Sequence, residues 1–184
     1  SCLPLLERRT CVSATALPDE PAALARHYGP LVFKAAYRVL GDAALAEDVQ
    51  QEVFLRLLER PPVGVASWPA FLTAAAVRAA IDQRRRQQRW WRVLPMWRAG
   101  APTEAPSAEQ AGLDTEQARR LRDALVALPG REAQCFSLRY LQGMEIADIA
   151  QALGLSANNI NVILHRARRR LEARLGDATE ETAR

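Results

Sequence analysis

The chain has 184 residues, of which 49% are hydrophobic and 25% charged, with a formal net charge of +4. That length suits one medium domain or two small ones, and that composition excludes an intrinsically disordered chain. Lys34 is the only lysine, so nearly every cation is an arginine, whose fork suits phosphate and carboxylate. Residues 1–21 carry Pro4, Pro18 and Pro21 and no sustained period, and are expected to form a flexible tail. From Ala22 to Leu40 the apolar residues recur at helical spacing, with a break or kink expected at Gly29-Pro30. Gly41-Asp42 reads as a turn. A second helix is predicted from Ala43 to Glu59, with Val49, Val53, Phe54, Leu57 and Leu58 on its buried side. Arg60 to Gly64 is a loop, after which Ser67 can cap a third helix with Trp68 and Pro69 in its first turn. That helix is expected to run through Phe71, Leu72, Val77 and Ile81 into Arg84-Arg85-Arg86.

Composition then shifts. Arg98 to Gly112 holds Gly100, Pro102, Pro106 and Gly112 among small and polar residues, the mark of a linker. Beyond it, Leu113 to Leu128 is predicted helical, Pro129-Gly130 turns, and Arg131 to Leu141 is helical again. Ile146, Ile149, Ala150 and Leu153 make one apolar stripe, Gly154 suits a left-handed helix end, and Ser156 can cap the next helix. The next helix carries Ile160, Ile163, Leu164 and Ala167, then Arg166, Arg168, Arg169 and Arg170. This is a helix-turn-helix with a basic second helix, suited to a DNA groove. The polar tail after Leu175 is expected to fray. The fold class expected is all-α. Two small helical domains, 22–92 and 115–175, are joined by a flexible linker, 93–114, and 176–184 forms a C-terminal tail.

Cys2, Cys11 and Cys135 are odd in number and widely spaced, and only His27 and His165 are present. Neither a disulfide framework nor a metal site is indicated, no cofactor is expected, and no nucleophile constellation suggests an enzyme. Cys135 sits in an apolar run and is expected in the core. No apolar run is long enough to span a bilayer and no signal-peptide core opens the chain, so a cytoplasmic protein without membrane insertion is expected.

Two stretches carry a family resemblance. Tyr37-Arg38-Val39-Leu40-Gly41-Asp42 followed by Ala46 to Leu57 resembles the first helical module of the extracytoplasmic-function sigma factors, group 4 of the sigma-70 class. The helix-turn-helix ending Leu164-His165-Arg166-Ala167-Arg168 is similar to that family's second module. The resemblance implies a protein that binds core RNA polymerase, recognises promoter DNA and helps melt it, making no covalent bond itself. It implies that Asp48, Gln51, Glu52, Leu55 and Glu59 dock the polymerase. It further implies that Trp68, Arg78, Asp82, Arg85, Arg86 and Arg89 contact the −10 element, with Arg84 tracking phosphate and Phe71 more a core residue. Trp90, Trp91 and Trp97 would either stack on single-stranded DNA or pin the linker. For the −35 element the implied residues are Ser156, Asn158, Asn159, Asn161, His165, Arg166, Arg168 and Arg169. The chain departs from the family at Arg78, where asparagine is frequent. It departs again at Asn161 and Ile163, where basic residues are common, so base reading falls to the asparagines. Ile163 would be core or touch a thymine methyl. An anti-sigma factor is a further candidate partner. The rival readings are a stand-alone helix-turn-helix regulator, which would leave the acidic face unexplained, and a sigma-like decoy that binds an anti-sigma factor.

Overall fold

The computed structural model describes the backbone of residues 21–93 and 116–182, and the side chains of 22–90 and 117–175. Among the described residues there are seven α-helices and one π-helical turn, and no strand. The expectations for residues 1–20 and for the linker core, 94–115, lie outside the described residues.

Helix α1 (Pro21–Leu40) passes through Pro30 without the expected break. Proline costs a helix an internal hydrogen bond, but Val32, Ala35, Ala36 and Val39 are all buried on the far side, and their packing outweighs that loss. Gly29 serves close approach: a Cβ there would meet Gln50 of the next helix at 2.8 Å. Gly41 turns the chain at φ 69°. The Asp42 carboxylate then accepts a hydrogen bond from the Leu45 amide (3.0 Å), capping α2 (Ala43–Glu59). The structure corrects one sequence assignment here: Leu58 is 59% exposed rather than buried.

Ser67 starts α3 (Trp68–Val93) as expected, its hydroxyl accepting from the Ala70 amide at 3.4 Å. The helix runs through Arg84-Arg85-Arg86, as expected, and continues to Val93. Leu72, Ala76, Val77, Ala80 and Ile81 recur at helical spacing and are buried against α1 and α2.

After the linker comes α4 (Glu116–Val126), then α5 (Gly130–Phe136). The predicted continuous helix to Leu141 is instead α5 followed by a π-helical turn, Ser137–Leu141, closed by the Gln142 amide on the Ser137 carbonyl (3.0 Å). Such wide turns commonly mark functional positions. Helix α6 (Ile146–Leu153) ends on Gly154 at φ 64°, with the Leu155 amide donating to the Ala150 carbonyl (2.9 Å). Only glycine takes this left-handed geometry cheaply. The Ser156 hydroxyl accepts from the Asn159 amide (3.2 Å) and caps α7 (Ala157–Thr182). The chain after Leu175 therefore stays helical to Thr182, where fraying was expected. Its capped start and the buried seam of Ile160, Leu164, Ala167 and Leu171 hold the helix onto α4, α5 and α6. Each large seam residue contributes about 2 kcal/mol of burial, against about 1 kcal/mol for the cap.

Buried side chains of α1–α3 and of α4–α7 join in one hydrophobic cluster. Helix α3 is the common wall, packing against α1 and α2 on one side and α5 and α6 on the other.

Candidate polymerase and DNA surfaces

Helix α2 buries Val49, Val53, Phe54 and Leu57, which turns Asp48, Gln51, Leu55 and Glu59 outward. Leu55 is 57% exposed beside Leu58, an apolar pair rimmed by carboxylates. Exposed paired leucines with a polar rim are the composition of a docking face rather than of a purely solvated one. Leu58 belongs to this face and was missed from sequence. Its position three residues after Leu55 and seven after Gln51 was the available signal. Glu52 is set apart: its carboxylate is ion-paired with Arg56 and lies 3.5 Å from Arg86 of α3.

The −10 candidates divide. Arg78, Asp82, Arg86 and Arg89 are exposed on α3. Trp68 is half-buried, packed edge-on to Phe71 with ring centroids 6.0 Å apart, and both rest against the core. Arg85 does not reach outward. Its guanidinium donates to the Val126 carbonyl (3.1 Å) and the Leu128 carbonyl (2.6 Å). Arg84 likewise donates to the Leu40 carbonyl (2.7 Å) and to the Asp123 carboxylate (2.8 Å). Both arginines are thus engaged within the protein, a use that sequence spacing does not reveal. Trp90 is 67% exposed at the end of α3, while the side chains of Trp91 and Trp97 and the linker they would pin lie outside the described residues.

On α7 the buried seam leaves Asn158, Asn159, Asn161, His165, Arg166, Arg168 and Arg169 on the outward face, with exposed Ser156 at its start. Ile163 is half-buried and packs against the core. Arg168 lies over the Tyr140 ring (5.1 Å to the centroid) and bonds its hydroxyl. Tyr140 in turn leans on Phe136, 4.5 Å between centroids. Arg170 approaches the buried carboxylate of Glu132 at 3.5 Å. Cys135 is fully buried, as expected, and burial pushes its thiol up to about 11, with Arg131 pulling back more weakly.

Among the described residues no cluster of three or more metal-ligating side chains occurs, and no helix is long and apolar enough to cross a membrane. Two open clefts run between the halves. One, of about 270 Å³, is lined by Arg78, Ile81, Asp82 and Arg85 of α3 facing Gly130, Arg131 and Gln134 of α5.

A helix-turn-helix with an outward polar helix, on one chain with an acidic–leucine helix face, defines a DNA-binding protein with a second macromolecular docking surface. Comparison with known proteins specifies the class. Residues 24–90 match Sigma-70 region 2, and residues 118–171 match Sigma-70, region 4. The chain is 34% identical over 164 residues to the ECF RNA polymerase sigma factor SigL of Mycobacterium tuberculosis, covering 87% of each protein. It is 28% identical over 162 residues to SigE of Mycolicibacterium smegmatis, where 87% of this chain spans 63% of the relative's length. Its fold is similar to the sigma factor RpoE of Bartonella quintana, solved in complex with the anti-sigma factor NepR (TM-score 0.51, 18% identity, 83% of this chain and 94% of that one). The chain belongs to the extracytoplasmic-function RNA polymerase sigma factors of the sigma-70 class.

Proposed function

We propose that this chain binds core RNA polymerase and directs transcription initiation in the cytoplasm, as a group 4 member of its class and without catalysing a reaction itself. Residues 22–92 form the polymerase- and −10-binding unit, 93–114 the linker, and 115–175 the −35-binding unit. Asp48, Gln51, Leu55, Leu58 and Glu59 dock the polymerase, with Glu52 holding Arg56 and Arg86 in place behind them. Arg78, Asp82, Arg86 and Arg89, with Arg84 and Arg85 once released, track and read the opened −10 strand. Trp68 and Phe71 form an aromatic ledge beside it. Extruding a base costs a few kcal/mol of stacking, which such contacts must offset. Asn158, Asn159 and Asn161 read base edges of the −35 element, and Arg166, Arg168, Arg169 and His165 face its phosphates.

The observation that carries this reading is the exposed Leu55–Leu58 pair among carboxylates on α2, a docking face that binding to duplex DNA does not itself require. RpoE's complex with an anti-sigma factor supports a similar inhibitor as a partner here. The test is in vitro transcription with core polymerase and a genomic promoter library. Promoter-dependent transcripts that vanish with Leu55→Asp/Leu58→Asp are expected. Tight, specific binding of duplex DNA by the chain alone, with no transcripts on adding core, would overturn the proposal in favour of a stand-alone regulator. Neither transcripts nor DNA binding would favour a decoy.

A further inference from the structure

We infer that Val162 is a base-reading residue of α7 that packs on a thymine methyl, and that the upstream element holds an A·T pair beneath it. The inference rests on the proposed −35 role of α7 and names the kind of sequence this face selects. Ile160, Leu164, Ala167 and Leu171 are buried and fix which way the helix faces. At about 100° per residue, Val162 stands roughly 170° around the helix from the mean direction of those four. It is turned squarely away from the core and is 41% exposed.

A single exposed valine on an ordinary surface needs no explanation. This one stands in the middle of the polar face of the second helix of a helix-turn-helix. Asn158 and Asn159 precede it by four and three residues, His165 and Arg166 follow it by three and four, and all are exposed. Those spacings make them its neighbours on the helix surface. A β-branched side chain also gives up rotamer freedom in a helix, and at this exposure Val162 recovers little of it by burial within the chain.

The chemistry of the face points to one kind of base pair. In the major groove, thymine offers a methyl group, and adenine offers an acceptor beside a donor that an asparagine amide matches. Valine has no hydrogen bond to give or accept, so the methyl is the group it can answer. Guanine is answered by arginine or lysine, and neither occurs from Ser156 to Leu164. The first arginine, Arg166, comes a full turn after Val162. Val162 lies about 9 Å along the axis from the Ser156 cap, at about 1.5 Å per residue, in the part of such a helix that enters the groove. Its Cβ lies about 5–6 Å from those of Asn158 and Asn159. That is one to two base-pair steps at about 3.4 Å each. The valine and an asparagine therefore read A·T pairs that are adjacent or one pair apart.

The test selects duplexes from a library randomised over the upstream element, with the holoenzyme and, in parallel, with the full chain alone at low salt. Both should enrich an A·T pair at one fixed position. Replacing the thymine there with deoxyuridine removes the methyl and nothing else. The parent should lose about fourfold in affinity. Val162→Ala should keep its helix content by circular dichroism, because the site is exposed. It should lose about as much on the thymine duplex and nothing further on the deoxyuridine duplex. Its salt dependence should match the parent's, since no phosphate contact is lost. Val162→Arg should move the choice at that one position from A·T to G·C. Equal binding of thymine and deoxyuridine duplexes by the parent at every enriched position would overturn the inference. So would a methyl effect that survives intact in Val162→Ala, or selection of no A·T pair. Holoenzyme transcription reads the proposed function separately. No transcripts, with the methyl effect present for the chain alone and lost in Val162→Ala, would sink that function and spare the valine's role. Promoter-dependent transcripts without a methyl effect would do the reverse.

Discussion

At the residue scale, the arginines of α7 look equivalent in sequence and are not. Arg166 and Arg169 project outward, whereas Arg168 lies over Tyr140 and bonds its hydroxyl. A phosphate must compete with that pairing. Arg166→Ala and Arg169→Ala should each flatten the salt dependence of upstream duplex binding by about one unit of log–log slope. Arg168→Ala should flatten it less, and Tyr140→Ala should shift Arg168 toward the larger effect. Equal slopes for all three arginine variants would show that Tyr140 does not restrain Arg168. Cys135 makes a second contrast. Its place in an apolar run made burial legible, but the raised thiol pKa of about 11 comes from the cluster around it. Near pH 8 iodoacetamide should leave Cys135 unmodified in the native chain and label it after unfolding. Because the folded thiol keeps its proton longer than the unfolded one, stability should fall as pH rises from about 9 toward 11. Rapid native alkylation, read by peptide mass mapping, would contradict the burial.

Elements were legible where one face is buried and the caps are local. Asp42, Ser67, Gly154 and Ser156 each act within a few residues of themselves, and each element they bound begins or ends where sequence placed it. Pro30 and Ser137–Leu141 were not legible, because tertiary packing decides whether a proline is tolerated or a helix widens. Leu58 was misplaced for a related reason: α2 has more apolar residues than core to receive them, and the surplus stands exposed on the face proposed to dock the polymerase. Asp48→Arg on that helix should leave the melting temperature almost unchanged, since an exposed reversal costs at most about 0.5 kcal/mol. It should weaken core polymerase binding by about 2–5 kcal/mol if the charge is desolvated there. Unchanged affinity in a pull-down titration would return this face to solvent. On α7 the two faces should separate cleanly. Ile160→Ala should cost about 2–5 kcal/mol of stability, read by urea unfolding, because Ile160 is fully buried. Asn158→Ala, Asn159→Ala and Asn161→Ala should cost little stability. The one that reads a base should lose about 1–3 kcal/mol on the preferred site and relax choice at one base pair. Uniform loss across a library of upstream sequences would move base reading off these asparagines.

At the scale of the whole molecule, sequence gave two helical units in the right order but nothing of how they meet. Periodicity records which face of a helix is apolar, not which distant carbonyl an arginine will find. The bonds of Arg85 to Leu128 and of Gln142 to Ala35 join residues 43 and 107 positions apart. The consequence is thermodynamic. Side-chain bonds to carbonyls from a charged donor contribute roughly 1.5–3 kcal/mol each when partly buried. The seam holds several of them over a continuous hydrophobic cluster. Docking of that strength should couple the units, so that neither melts while the other stays folded. Differential scanning calorimetry of the full chain should give one transition whose calorimetric and van't Hoff enthalpies agree. In Asp123→Arg/Gln142→Ala the coupling should weaken and the trace should resolve into two transitions, with Ile160→Ala then lowering only one of them. In the parent, Ile160→Ala should lower the single transition as a whole, because each unit melts at the expense of its docked partner. Two resolved transitions in the parent, one moved by Ile160→Ala and one not, would show that the units are stable apart and that the seam contributes nothing to either.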